Sequence, residues 1–133
     1  MNPLFADTFY FLALANSKDT AHAKALEFSR SHRGPLLTTT WVLTELADGL
    51  SRAKNRHLFL RVLDDLRSDP AHIVIPPSMD LFEEGIALYR SRPDKHWSLT
   101  DCISFVVMTE RRLTDALTGD HHFEQAGFRA LLL

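Results

Sequence analysis

Cysteine is nearly absent: Cys102 is the single one in 133 residues. A lone thiol closes no internal disulfide and supplies no zinc module of two or more thiolates, so both frameworks are excluded and a reducing interior, the cytoplasm, is expected. An excess of positive charge is also lacking. Fifteen Lys and Arg stand against seventeen Asp and Glu, a formal net charge of -2, so no whole-molecule field holds a nucleic-acid backbone and any such contact must be local. No apolar run approaches the roughly 20 residues that cross a bilayer, which excludes a membrane helix. The opening Met1-Asn2-Pro3-Leu4-Phe5-Ala6-Asp7 has no basic stretch and is not expected to be a secretory signal. The five glycines form no phosphate-cradling loop, and no repeat or low-complexity tract occurs. What is present, 45% hydrophobic and 24% charged residues, is the composition of an ordinary globular chain, and its length fits one domain, 1–133.

Short apolar runs alternate with longer helical patterns. Leu4 to Ala6, Leu36 to Thr39, His72 to Ile75, Ala116 to Thr118 and Phe128 to Leu132 read as strands. Between them, Thr8 to Ala15, Thr20 to Arg30, Trp41 to Leu50, Arg56 to Arg67 and Ser78 to Ser91 read as helices. Thr100 to Arg112 is apolar on nearly every side, the signature of a buried helix. Such alternation predicts an α/β fold with a mainly parallel sheet of four to five strands, helices on both faces, and a site beyond the carboxyl ends of the strands.

That rule singles out four of the acids. Asp7 follows the first strand, Glu45 lies early in the helix after the second, Asp101 opens the buried helix, and Asp120 follows the fourth strand. Each has a plainer role available: Asp7 as a helix cap, Glu45 as a solvated side chain, Asp101 as the third position of a capping box begun by Ser98, Asp120 in an Asx turn. Together, four carboxylates on one rim repel one another unless a cation neutralises them. An all-oxygen set suits Mg²⁺ or Mn²⁺, ions that share their coordination with phosphates, and this points to phosphoryl-group hydrolysis.

The segments Leu4-Phe-Ala-Asp7-Thr8-Phe, Leu37-Thr-Thr-Thr-Trp-Val-Leu-Thr-Glu45, Trp97-Ser-Leu-Thr-Asp101-Cys-Ile and Ala116-Leu-Thr118-Gly-Asp120-His-His-Phe123 resemble the PIN domains, and more narrowly the VapC-type toxins of bacterial toxin-antitoxin pairs. The resemblance implies a PIN-like three-layer α/β/α sandwich and a Mg²⁺- or Mn²⁺-dependent ribonuclease cutting tRNA or rRNA. It carries the acidic tetrad onto Asp7, Glu45, Asp101 and Asp120, with Asp7, Asp101 and Asp120 as metal ligands and the hydroxyls of Thr8 and Thr118 beside them. It also implies a homodimer and a small antitoxin over the active site. Two other readings stand beside it: a PIN-like interaction module without appreciable catalysis, and a housekeeping RNA-processing nuclease. Receiver-type and haloacid-dehalogenase-type sites fail on residues, since Phe9 stands where the latter needs a second Asp and no Lys follows Lys95.

An acidic site for RNA needs cations at its rim. Arg52, Lys54 and Arg56 form one candidate patch; Arg90, Arg92 and Lys95 form another, leading to Trp97, placed to stack on an unpaired base. A solvated turn and a core-sealing indole are the plainer alternatives. Asp94 and Asp115 lie near the acidic motifs without belonging to them. His121 and His122 beside Asp120 suggest a metal pair, but adjacent residues diverge in direction, and both are set aside. Cys102 is expected to be a core residue.

Overall fold

In a computed structural model, which describes residues 2–133, the chain forms β1 (Leu4–Ala6), α1 (Thr8–Ala15), α2 (His22–Ser31), β2 (Leu36–Thr39), α3 (Thr40–Gly49), α4 (Arg56–Ser68), β3 (Ile73–Ile75), α5 (Met79–Ser91), α6 (Leu99–Glu110), β4 (Asp115–Leu117), α7 (His121–Gln125) and β5 (Arg129–Ala130). The five strands make one sheet in the order β3-β2-β1-β4-β5, with every pairing parallel. The first three strands step outward in one direction from β1, and the last two step outward in the other. The reversal lies between β1 and β4, where connections to left and right part and leave a crevice at the carboxyl ends. Right-handed crossovers on either side of that reversal put helices on opposite faces of the sheet.

The core explains the short strands. Phe5, Leu37, Ala116 and Leu117 are almost wholly buried, and Phe105 of α6 stands edge-on to both Phe123 of α7, at 4.9 Å, and Trp97, at 5.1 Å. Strands covered on both faces need few residues when each is apolar. Helix α6 is as enclosed as its sequence predicts: Cys102, Ile103, Ser104, Phe105, Val107 and Met108 are all buried. It packs closely on α5, where Gly85 leaves the space that the Ile103 side chain fills; a Cβ there would stand 2.4 Å from Ile103 Cγ1. Burial pushes the Cys102 thiol up to about 11, which makes it the inert core residue expected.

Most boundaries shift by a residue or two from the sequence reading, and three differences have a clear physical cause. β4 is Asp115–Leu117, because Thr118 leaves the ladder to place its hydroxyl between Asp7 and the Asp120 backbone. β5 shrinks to Arg129–Ala130, the two residues that find partners on β4. The short α7 has no counterpart in the hydropathy pattern, since five residues are too few to show a 3.6 period.

Candidate active site

Asp7 stands at the N-cap of α1, yet its side chain makes no capping bond. It turns into the crevice instead, where its Oδ2 accepts the Thr118 hydroxyl at 2.8 Å, and the residue is only 5% exposed. The helix-cap role available to it in the sequence is therefore not the one it fills. Burial pushes its carboxyl up to about 7; the Thr118 bond pulls the other way, and the neighbouring Asp101 and Glu45 charges raise it further.

Glu45, on α3, faces away from the side bearing Leu43, Leu46 and Leu50, and its Oε1 accepts the Thr8 hydroxyl at 2.5 Å. Helix α3 touches both α1 and α6, so it bridges the two helical layers above the crevice. Asp101 does form the capping box: its backbone N–H donates to Ser98 Oγ at 3.0 Å, and its Oδ2 accepts the Ser98 N–H at 3.2 Å. Burial also raises the Asp101 carboxyl, opposed by the bonds from Ser98 and His122, while the Asp120 charge adds to the rise. Asp120 caps α7, its Oδ1 accepting the His122 N–H at 2.9 Å, and its own N–H donates to Thr118 Oγ1. For Asp101 and Asp120 the local capping role and a place in the cluster coexist.

The four acids thus meet at the crevice between β1 and β4, with Thr8 and Thr118 each bonded to one of them. Among the described residues, no Lys or Arg pairs with any of the four; the basic side chains in contact are two histidines, which reach Asp101 and Asp120 alone. A set of carboxylates that raise one another's pKa and lack a fixed cation fits a divalent ion.

His122 corrects the sequence reading. The two histidines do diverge, and that is why only one is spent on solvent: the His121 side chain is 69% exposed, whereas His122 turns inward with Nδ1 3.1 Å from Asp101 Oδ2 and 3.4 Å from Asp120 Oδ1. Asp101, Asp120 and His122 offer ligand atoms that all lie within 4.8 Å of one another. Asp94 and Asp115 stand elsewhere, paired with Arg92 and Arg129 at 2.9 Å, and Asp115 opens β4 at the sheet edge opposite the crevice.

The rim residues divide. Arg52 and Lys54 are exposed in the turn between α3 and α4, and Arg56, also exposed, opens α4. Arg90, Arg92 and Lys95 line an open groove of about 1080 Å³ that runs to Ser98, the cap of the helix bearing Asp101, and no acid lines it. Trp97 does not serve as a stacking platform, which corrects the expectation. It is 7% exposed, its Nε1 donates to Gln125 Oε1 at 3.0 Å, one side meets Phe105, and the Arg92 guanidinium sits 5.2 Å from the ring centroid. Tyr89, 54% exposed in the same groove, is the aromatic that faces solvent there. Its position one residue before Arg90 in an amphipathic helix was the available signal. A second cleft, of about 430 Å³, runs beside Glu45 between Trp41 and Thr100.

Comparison with known proteins agrees with this fold. The family model described as PIN domain matches residues 4–129. The chain is 27% identical over 125 residues to the 23S rRNA-specific endonuclease VapC20 of Mycobacterium tuberculosis, in strains CDC 1551 / Oshkosh and ATCC 25618 / H37Rv, covering 94% of this chain and 95% of the relative. The crystal structure of Mycobacterium tuberculosis VapC20, described as a sarcin-ricin loop cleaving toxin, superposes with a TM-score of 0.84 at 26% identity, covering 94% of this chain and 95% of that one. With a parallel five-stranded α/β sheet, four acids at its switch point and a family match across nearly its whole length, the chain belongs to the PIN-domain family.

Proposed function

We propose that this chain is a metal-dependent endoribonuclease, a single nuclease domain acting as the toxin of a toxin-antitoxin pair in the cytoplasm. The observation that carries this reading is the convergence of Asp7, Glu45, Asp101 and Asp120 on one crevice with no Lys or Arg among the described residues to balance them. The similarity to an rRNA-specific endonuclease makes ribosomal RNA the substrate to test first, ahead of tRNA.

Asp7, Asp101 and Asp120 would hold Mg²⁺ or Mn²⁺, with Glu45 completing the site. When bound, such an ion acidifies a water and neutralises phosphoryl oxygens. The chain's own part is geometric. Thr118 holds the Asp7 carboxylate from one side, Thr8 holds Glu45, and the Ser98 capping box fixes Asp101. The burial of Asp7 keeps its carboxylate free of competing water and stores a strong preference for any positive charge brought beside it. Arg90, Lys95 and Tyr89 line the path by which an RNA strand reaches Asp101, supplying backbone contacts and a stacking face; Arg52, Lys54 and Arg56 form a second, separate patch. A second copy of the chain and a small antitoxin that presents a cation to the acids are the proposed partners.

The test is cleavage of an rRNA and tRNA pool by purified protein with Mg²⁺ or Mn²⁺, beside EDTA controls and the Asp7→Asn and Asp101→Asn variants. Cutting that needs the metal and vanishes in both folded variants supports the assignment. Cutting that survives both changes overturns the site, and no cutting by folded, partner-free protein favours an interaction module.

A further inference from the structure

The acidic tetrad leaves one inward-facing group without a role. His122 Nδ1 lies 3.1 Å from Asp101 Oδ2 and 3.4 Å from Asp120 Oδ1. Adjacent ligands of a six-coordinate cation, each ~2.1 Å from it, stand roughly 3 Å apart, so these separations suit shared coordination as well as hydrogen bonding. An imidazole that yields its Nδ1 proton offers a lone pair at the same place.

The backbone makes this placement firm. His122 is held at its own N–H by Asp120 Oδ1, the very carboxylate its ring faces, so residues 120 and 122 form a closed unit at the start of α7. The neighbouring His121 ring, 4.9 Å away between centroids, flanks it. Asp101 is likewise fixed by its bonds with Ser98. Three donor atoms, two of them anionic, are thus preorganised within 4.8 Å of one another. The Asp7 and Glu45 side of the crevice carries oxygen donors alone.

We propose that His122 is a metal ligand, and that with Asp101 and Asp120 it makes a mixed nitrogen and oxygen position selective for a first-row transition ion of the Mn²⁺ class over Mg²⁺. The inference rests on the metal-dependent reading above. Its physical basis is ligand type: an imidazole nitrogen is a better ligand for a first-row transition ion, Mn²⁺ as the hardest of them included, than for Mg²⁺, which keeps to water and carboxylate oxygen. The unit is asymmetric, and the asymmetry decides which ion binds more tightly at the α7 side.

The experiment is pulsed electron paramagnetic resonance of Mn²⁺ bound to the full chain without RNA, with Mn²⁺ and Mg²⁺ affinities measured for wild type, His122→Ala, His122→Gln and His121→Ala. The expected result is imidazole nitrogen modulation in wild type and His121→Ala that is lost in both His122 variants. Mn²⁺ affinity should fall about tenfold or more in those variants while Mg²⁺ affinity changes by less than about threefold. Circular dichroism checks that each variant is folded. Mn²⁺ binding without nitrogen modulation in wild type overturns the inference and leaves the nuclease reading intact, as does an equal loss of both ions in His122→Ala, which would mark a positioning residue. Absence of any Mn²⁺ or Mg²⁺ binding in wild type overturns the metal reading itself.

Discussion

Replacing Asp7 by Asn should make the metal-free protein more stable at alkaline pH while removing its activity. In the unfolded chain the carboxyl titrates near its ordinary value of 3.8; in the folded one burial raises it to about 7. The folded state therefore holds a proton that the unfolded state has released, and stability falls as pH rises from about 4 to about 7. At about 1.4 kcal/mol per pKa unit, the full deficit above pH 7 is about 4 kcal/mol, more than half of which develops between pH 5 and 8. Asn keeps the shape and an oxygen for the Thr118 hydroxyl but carries no charge, so Asp7→Asn escapes this loss. The assay is urea denaturation in EDTA at pH 5 and pH 8 for both proteins; comparing their slopes with pH cancels groups common to both. The variant should be more stable than wild type by about 2 kcal/mol at pH 5 and by about 4 kcal/mol at pH 8. Added Mn²⁺ should stabilise wild type more than the variant. Parallel pH profiles would refute the argument, because they would mean that Asp7 ionises in the fold without cost.

Gly85→Ala should lower the melting temperature: the gain of about 1 kcal/mol in helix propensity is outweighed by the ~1–3 kcal/mol of forcing Ile103, wholly buried, away from a Cβ at 2.4 Å. A raised melting temperature would refute the close approach of α5 and α6. Ser104→Ala should leave stability unchanged or raise it by up to about 1 kcal/mol, since the buried Ser104 hydroxyl has no partner among the described residues; a clear loss in chemical denaturation would reveal one. Tyr89→Ala should weaken RNA binding about tenfold in Kd with the melting temperature unchanged, and Tyr89→Phe should restore it. Trp97→Ala should do the reverse, lowering the melting temperature by the loss of a packed indole and its Gln125 bond; fluorescence anisotropy and thermal melts of the variants separate the two.

Much of the site was legible because strand ends are legible. Ala6 and Leu117 close apolar runs, and the acids just past them face the crevice wherever the sheet is parallel. Glu45 was placed by the opposition between its position and the Leu43, Leu46 and Leu50 face. His122 was not legible, because its direction depends on a single turn of helix whose start is set by an Asp120 capping bond, and no periodicity announces a five-residue helix. Trp97 was misplaced for a related reason. Its neighbours Arg92 and Lys95 are half-buried, but the indole itself is drawn fully in by Phe105 and Gln125, and side-chain contacts from residues that distant leave no trace in local composition.

The bond between Asp7 and Thr118 joins residues 111 apart in the chain. β1, made first, lies at the middle of the sheet, and the crevice it helps to form has no second wall until β4 has been synthesised and seated against it. A ribosome-bound chain therefore carries Asp7, Glu45 and even Asp101 while lacking the strand that draws them into one place. If its target is the RNA of the machine that makes it, as proposed, this late closure would act as a built-in delay, since the growing polypeptide has no assembled crevice until residues beyond 118 have emerged and folded back onto the beginning.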